Sequence, residues 1–248
     1  VALQGAIGYN RVTVGNTDLK NCRAVFFDAG GTLFKPNPSV GEIYARTAQK
    51  YGMKVAAGET EKIFRDEFSR RDKLAASQAH ATEKNEKEWW KNLVRDVFEG
   101  LTPLKNFDSF FEDLYDLFAR AEAWKLYPEV PKVLKRLKEK KLILGIISNW
   151  DSRLLSICEG MQMEKYFDFI LASALVGSAK PDRGIFLEAL KRASVKPEEA
   201  VHIGDSVEND YEGAKHAGIK AFVINRDGRE IKNVQTLGSL ADILTLIL

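Results

Sequence analysis

The sequence predicts a doubly wound α/β core that carries an inserted all-helical domain. Two observations lead there. In the second half, short runs that are apolar throughout alternate with helical segments, the pattern of a parallel sheet covered on both faces. Between the first such run and the second, residues 38–121 offer helical periodicity and Glu/Lys/Arg-rich faces but no strand. A chain of 248 residues, 45% apolar and 29% charged, is long enough for one large domain or for a domain with an insertion.

In chain order, Arg23 to Phe27 is a β-branched and aromatic run of strand length. The insertion follows, and four helices are expected in it. Their apolar stripes run through Ile43, Tyr44, Ile63, Phe64, Phe68, Leu74, Trp89, Leu93, Val97, Phe107, Phe111, Leu114 and Phe118. Trp89 and Trp90 are adjacent and therefore point about 100° apart on a helix. One is expected in the core and one at an interface, with a substrate-facing Trp as the alternative. Val130, Val133, Leu134 and Leu137 give helical spacing to Tyr127–Lys140, after Pro128. Leu142–Ile147 is the second core strand, and Leu154, Leu155 and Cys158 mark the next helix. Strands at Phe167–Ala172, Ala200–Ile203 and Ala221–Ile224 alternate with helices at Gly184–Ala193, Asp210–Ala217 and Leu240–Ile247. The core is thus a Rossmann-like sheet built from residues 1–37 and 122–248.

Charge and cysteine content narrow the function classes. Lys and Arg total 37 against 35 Asp and Glu, a net charge of +2 with the signs interspersed, so no nucleic-acid partner is expected. Arg70-Arg71 and Lys138 to Lys141 are punctuated by acids and read as solvated helix faces. No apolar run reaches membrane-spanning length, so no membrane partner is expected either. Residues 1–21 lack a basic start followed by an apolar block, and no retained signal peptide is expected. Cys22 and Cys158 stand in no metal or redox spacing. They fit a reducing compartment, with a single disulfide left open, and a cytoplasmic location is expected, with an organelle reached after precursor processing as the alternative. Oligomeric state is not written in the composition.

Parallel strands share one carboxyl edge, where ligands bind. The polar residues that end the apolar runs fall on that edge: Asp28 in "AVFFDAGGTLF", Ser148-Asn149 in "IISNWD", and Gly204-Asp205 in "HIGDSVEND". Lys180, in "SAKPD", lies in the connection after the Phe167–Ala172 run. Asp205 and Asp210 bring second and third carboxylates towards Asp28, and three such groups repel one another unless a cation sits among them. All-oxygen ligands suit a hard cation, with Mg²⁺ the natural choice. Lys180 and Ser148 could then hold an anion such as phosphate.

These motifs resemble the haloacid dehalogenase-like hydrolase superfamily, over nearly all of the chain. The first is Asp28 with Gly31-Thr32 following, the second Ser148, the third Lys180 before Pro181, and the fourth the acidic pair Asp205 and Asp210. The insertion at 38–121 resembles that superfamily's helical cap. More narrowly, "VGEIYARTAQKYG", "EWWKNLV" and "ISNWDSRL" resemble the branch that groups rhythmically-expressed-gene-2-like proteins with haloacid dehalogenase-like hydrolase domain-containing protein 3. The resemblance implies an Mg²⁺-dependent phosphatase of small phosphorylated molecules that forms an aspartyl-phosphate on Asp28. It implies metal ligands at Asp28, the Gly30 carbonyl, Asp205 and Asp210, and phosphate contacts from Ser148, Asn149 and Lys180.

One departure stands out. Family phosphatases usually carry a second Asp two residues after the nucleophile, as general acid and base, and here that residue is Gly30. General acid–base catalysis supplies about 10²–10⁴-fold, so a slow or selective enzyme is expected. Acyl or aryl phosphates, with good leaving groups, would suffer least. Two alternatives stay open: a non-catalytic phosphate-binding or interaction protein that keeps the site, and a metal-free haloacid dehalogenase, against which the Asp205/Asp210 pair argues. Several residues carry blander readings. Asp151 is expected as an N-cap, with a replacement proton shuttle as the alternative. His202 is expected as a hydrogen-bonded core histidine, His216 as exposed, and His80 has no identifiable partner. Tyr44 and Arg46 are unoriented by periodicity, and Ser206 and Asn209 are left unassigned.

Overall fold

The computed structural model describes residues 19–75, 81–101 and 106–247, with the side chains of 72–75 excepted. Residues 1–18, His80, Leu248 and the Leu74 side chain, all touched by the expectations above, lie outside the described residues.

The chain runs β1 (Ala24–Phe27), β2 (Phe34–Pro36), α1 (Val40–Lys50), α2 (Ala57–Ala75), α3 (Glu83–Glu99), α4 (Phe107–Leu117), β3 (Trp124–Leu126) and α5 (Val130–Glu139). It continues through β4 (Ile143–Ser148), α6 (Arg153–Gly160), β5 (Phe169–Ala172), α7 (Ser173–Val176) and α8 (Arg183–Ala193). Last come β6 (Ala200–Gly204), a π-helical turn (Val207–Glu212), α9 (Gly213–His216), β7 (Lys220–Ile224), β8 (Thr236–Leu237) and α10 (Asp242–Ile247).

Six strands form one parallel sheet in the order β5-β4-β1-β6-β7-β8. Alternation along β1 explains the double winding. Val25 and Phe27 join the apolar layer built with α5, α6 and α10, whereas Ala24 and Phe26 join the layer built with α8 and α9. Every residue of β1 is fully buried, so the strand reads as a continuous apolar run rather than an alternating one. The chain leaves β1 towards β4 on one side and returns to β6 on the other. The carboxyl end of β1 is therefore the switch point of the sheet.

Helices α1–α4 close around their own cluster, centred on Leu93, Val97, Phe98, Phe110, Phe111 and Leu114. Ser39 caps α1 by a reciprocal box with Glu42, and Thr82 caps α3 by accepting from the Asn85 amide. Both chain crossings between core and helical insertion pass through β2 and β3, which pair antiparallel, Phe34 with Leu126 and Pro36 with Trp124. Three-residue strands carry too little alternation to be read from sequence.

Four expectations need correction. The segment expected as one helix at Asp210–Ala217 opens as the π-helical turn, and only Gly213–His216 is α-helical. The wider turn folds Asp210 back over Gly204, where a Cβ on residue 204 would overlap its carboxyl group. On α6 the inward stripe is Leu154, Ile157 and Cys158, and Leu155 points out, 42% exposed. Trp89 and Trp90 are both half-buried, so neither is the fully buried core Trp; they pack edge-on at 4.9 Å. Phe68, read as part of a core stripe, is 36% exposed. Both cysteines are free thiols, and no helix among the described residues is long and apolar enough to cross a membrane.

Candidate active site

At the end of β1 the chain must turn under the α1–α4 cap, and Asp28 is the first residue past the strand. Its amide donates to Ile203 O on β6 at 2.9 Å, which anchors the carboxylate over the switch point. Its Oδ1 accepts hydrogen bonds from Ser148 Oγ, at the end of β4, at 2.8 Å and from Lys180 Nζ at 2.6 Å. Among the described residues no side chain bonds the other oxygen, Oδ2, which is left for a ligand.

Lys180 bridges two carboxylates, since its Nζ also donates to Asp210 Oδ1 at 2.6 Å. The loop that carries Lys180 is fixed by Asn149, whose side-chain amide accepts from Lys180 N at 2.7 Å and donates to Lys180 O at 2.8 Å. Both ends of that amide are engaged, so the Asn149 side chain positions Lys180, whereas the family resemblance implied a phosphate contact for this residue. Asp210 is similarly occupied: Oδ1 also receives His202 Nε2 at 2.8 Å and Oδ2 receives Ser206 N at 3.0 Å. His202 is the hydrogen-bonded core histidine expected from sequence. Asp205, in contrast, is open to the cleft. One oxygen from each of Asp28, Asp205 and Asp210 lies within 4.8 Å of the others.

The charges follow from this packing. Burial lifts the Asp28 carboxyl above the usual carboxylate range, and Lys180 pulls against that. Burial beneath the cap, then the facing Asp28 and Asp210, raise Asp205 well above it. Burial would also raise Asp210, but Lys180 and His202 outweigh it and hold that carboxyl low. Burial likewise disfavours the Lys180 ammonium, yet Asp210 and Asp28 more than restore it. Burial holds the His202 imidazole below its ordinary value, against the pull of Asp210. Three acidic side chains face one ammonium, and the donors they offer are all oxygen. The residues present fit a hard divalent cation.

Gly31 makes this approach possible. Its φ is +76°, and a Cβ there would overlap the Asp205 carboxylate. Gly31→Ala is expected to displace Asp205, with a loss of about 1–2 kcal/mol in stability. Denaturant unfolding checks it, and unchanged stability would contradict the tight seat described for Asp205.

Asp28, Gly30, Ser148, Asn149, Lys180, Asp205 and Asp210 all line one cavity of about 310 Å³ between core and cap. Tyr44 and Trp90 line it from the cap, so Trp90 is the tryptophan of the α3 pair that faces the cavity. Arg46 lies elsewhere, in a separate groove beside the cap linkers. Ser206 and Asn209 also line the cavity, and Ser206 Oγ caps the π-helical turn by accepting from Asn209 N at 3.2 Å.

A polar seam invisible to sequence reading holds cap to core. Asp151 accepts from Tyr115 OH on α4 at 2.6 Å, from Arg153 Nη2 at 2.8 Å and from the Arg153 amide at 3.0 Å. The residue at the N-cap of α6 is Ser152, so the expected N-cap is displaced by one; Asp151 instead holds the first turn through the Arg153 amide and guanidinium. Glu83 of α3 accepts from Ser152 N and Oγ at 2.8 and 3.1 Å, and Glu86 from Ser173 Oγ at 3.5 Å. Burial, then the charge of Asp151, push the Glu86 carboxyl up to about 7. A folded-state value above the unfolded one favours the native state below the unfolded value. That advantage is lost as pH rises through about 7. Glu86→Gln, neutral throughout, is expected to flatten the fall of Tm between about pH 5 and 8. An unchanged slope would show that another group titrates there.

Comparison with known proteins places this architecture. The family model described as haloacid dehalogenase-like hydrolase matches residues 22–218. Haloacid dehalogenase-like hydrolase domain-containing protein 3 of Danio rerio is 34% identical over 211 residues, 84% of this chain and 87% of the relative. The crystal structure of a HAD phosphatase from Thermococcus onnurineus superposes with a TM-score of 0.64 at 25% identity, covering 90% of this chain and 97% of that one. L-2-haloacid dehalogenase from Xanthobacter autotrophicus, with chloropropionic acid covalently bound, shares the fold at a TM-score of 0.69 and 19% identity, with 91% and 98% covered.

Proposed function

Because the chain belongs to the haloacid dehalogenase-like hydrolase family, we propose that it is a slow or selective Mg²⁺-dependent phosphatase of small phosphate monoesters. One observation carries the reading: a buried nucleophile-grade carboxylate, Asp28, is held by Ser148 and Lys180 with one oxygen free, beside the open carboxylate of Asp205. Asp28 Oδ2 attacks phosphorus as the bond to the ester oxygen breaks, and the leaving oxygen takes its proton from solvent; water then cleaves the aspartyl-phosphate to phosphate and restores the carboxylate. Lys180 and Ser148 fix the Asp28 carboxylate and face the phosphoryl oxygens, together with the backbone amides after β4. Asp28, the Gly30 carbonyl, Asp205 and Asp210 would hold Mg²⁺. Mg²⁺ when bound neutralises charge on the carboxylates and the phosphoryl group. Two free thiols fit a cytoplasmic setting.

Release of phosphate from a panel of monoesters with Mg²⁺, compared with Asp28→Asn, tests this. Tight Mg²⁺-dependent binding of beryllium fluoride without turnover would favour the second reading, a phosphate-binding protein. Gly30 is what favours that alternative. Its carbonyl remains, but no side chain there can move a proton, and a Cβ would stand 3.2 Å from Trp150 Cζ3. Trp150 must shift by a few tenths of an ångström for any side chain at 30. Gly30→Asp is expected to raise kcat by about 10²-fold on alkyl phosphates, measured at saturating Mg²⁺. An unchanged rate in the folded variant would move the limiting step away from proton transfer. Halide displacement is disfavoured by the Asp205 and Asp210 carboxylates, which crowd the cleft with charge that a metal-free reaction does not need.

A further inference from the structure

We infer that the cavity takes aryl phosphate monoesters, with the phosphoryl group at Asp28 and a flat, apolar leaving group in the cap. The inference rests on the phosphatase reading and adds its substrate class. Its first support is the wall. Starting beside Gly30, rings follow one another in contact: Trp150 to Trp124 at 5.2 Å, Trp124 to Phe118 at 5.7 Å, Phe118 to Tyr44 at 6.1 Å and Tyr44 to Phe64 at 5.8 Å. Phe68 and Trp90 continue the series at the α2–α3 side, at 5.7 and 6.0 Å. All of these line the cavity, so aromatic surface extends from the nucleophile into the cap.

Two polar groups on the same wall, Arg153 and the Tyr115 hydroxyl, are occupied. Arg153 is committed to Asp151 and lies 3.5 Å from the Tyr115 ring centroid, and the Tyr115 hydroxyl also donates to Asp151. A polyhydroxylated leaving group would bury hydroxyls against rings, and each one left unpaired costs about tenfold or more in affinity. A planar arene instead stacks on these faces.

The second support is chemical and independent of the wall. No carboxyl stands at residue 30 to protonate a departing oxygen, and Trp150 fills the adjoining space. A bond forms between Asp28 Oδ2 and phosphorus while the bond from phosphorus to the aryl oxygen breaks. The electron pair leaves on a phenolate, whose conjugate acid has a pKa of about 10, so it departs without an acid and later takes a proton from solvent. Water then releases phosphate and returns Asp28 as a carboxylate. An alkoxide leaving group has no such route.

The test pairs binding with turnover, using the whole protein in Mg²⁺. Calorimetry should give benzylphosphonate at least about 30-fold tighter binding than 2-hydroxyethylphosphonate. Trp90→Ala, and separately Phe118→Leu, which keeps apolar volume but removes the ring, should cut that preference by about tenfold. Phenyl and 2-naphthyl phosphate should exceed glucose 6-phosphate in kcat/KM by about 100-fold or more. Equal affinities for the two phosphonates, or a preference untouched in both folded variants, would overturn the inference. If all esters are hydrolysed alike with equal phosphonate affinities, phosphatase activity stands and the aryl assignment falls. If benzylphosphonate is preferred but no ester turns over, aromatic recognition by the cap stands and the hydrolytic reading falls.

Discussion

Asp28→Asn should abolish phosphate release, by a factor on the order of 10⁴–10⁶ in kcat, while the protein stays folded. The asymmetry is chemical. Asparagine Oδ1 can still accept from Ser148 Oγ and Lys180 Nζ, the two bonds that hold residue 28 in place, so the site keeps its shape. An amide cannot form the acyl-phosphate bond, and with no covalent intermediate the remaining groups only position substrate. Single-turnover assays with radiolabelled monoester should show label on the wild-type protein and none on the variant. Wild-type activity persisting in the variant would mean that the reaction runs through another nucleophile or through direct attack by water.

Lys180→Met should have the largest effect on stability. The ammonium is nearly inaccessible and is the cation within ion-pair reach of both Asp28 and Asp210 among the described residues. Removing one partner of such a cluster leaves buried charge unpaired, which costs about 3–5 kcal/mol. The pH dependence gives the sign. Without Lys180 burial lifts the Asp28 carboxyl further above its unfolded value, so the variant's deficit should grow with rising pH and shrink in acid as that carboxyl takes up a proton. Denaturant unfolding at several pH values, without added Mg²⁺, measures this directly. A deficit that is independent of pH would assign the loss to packing rather than to charge. Saturating Mg²⁺ should recover part of it by neutralising the same carboxylates.

The rim of the sheet was legible because it obeys a local rule. Asp28, Ser148 and Asp205 are each the first polar group after an apolar run, and parallel strands bring their ends together whatever the loops do. Other features lacked any local signature. Asn149 grips the backbone of Lys180, and backbone partners leave no mark on residue type. The Tyr115–Asp151 bond joins residues from cap and core, so neither carries a hint of the other. Helical phase separates Trp89 from Trp90 but does not say which one looks towards the cavity. The turn at Val207–Glu212 departs from an α-helix through contacts of Asp210 with Ser206 and Gly204 that periodicity cannot encode.

The pairing of Pro36 with Trp124 has a consequence for the architecture as a whole. Because the outgoing and returning chain are already bonded neighbours, the core meets everything between them as the loop of a single hairpin. Closing a long loop costs only slightly more entropy than closing a short one. A differently shaped specificity module could therefore be grafted across the same doorway while the Asp28 turn beneath it kept its register.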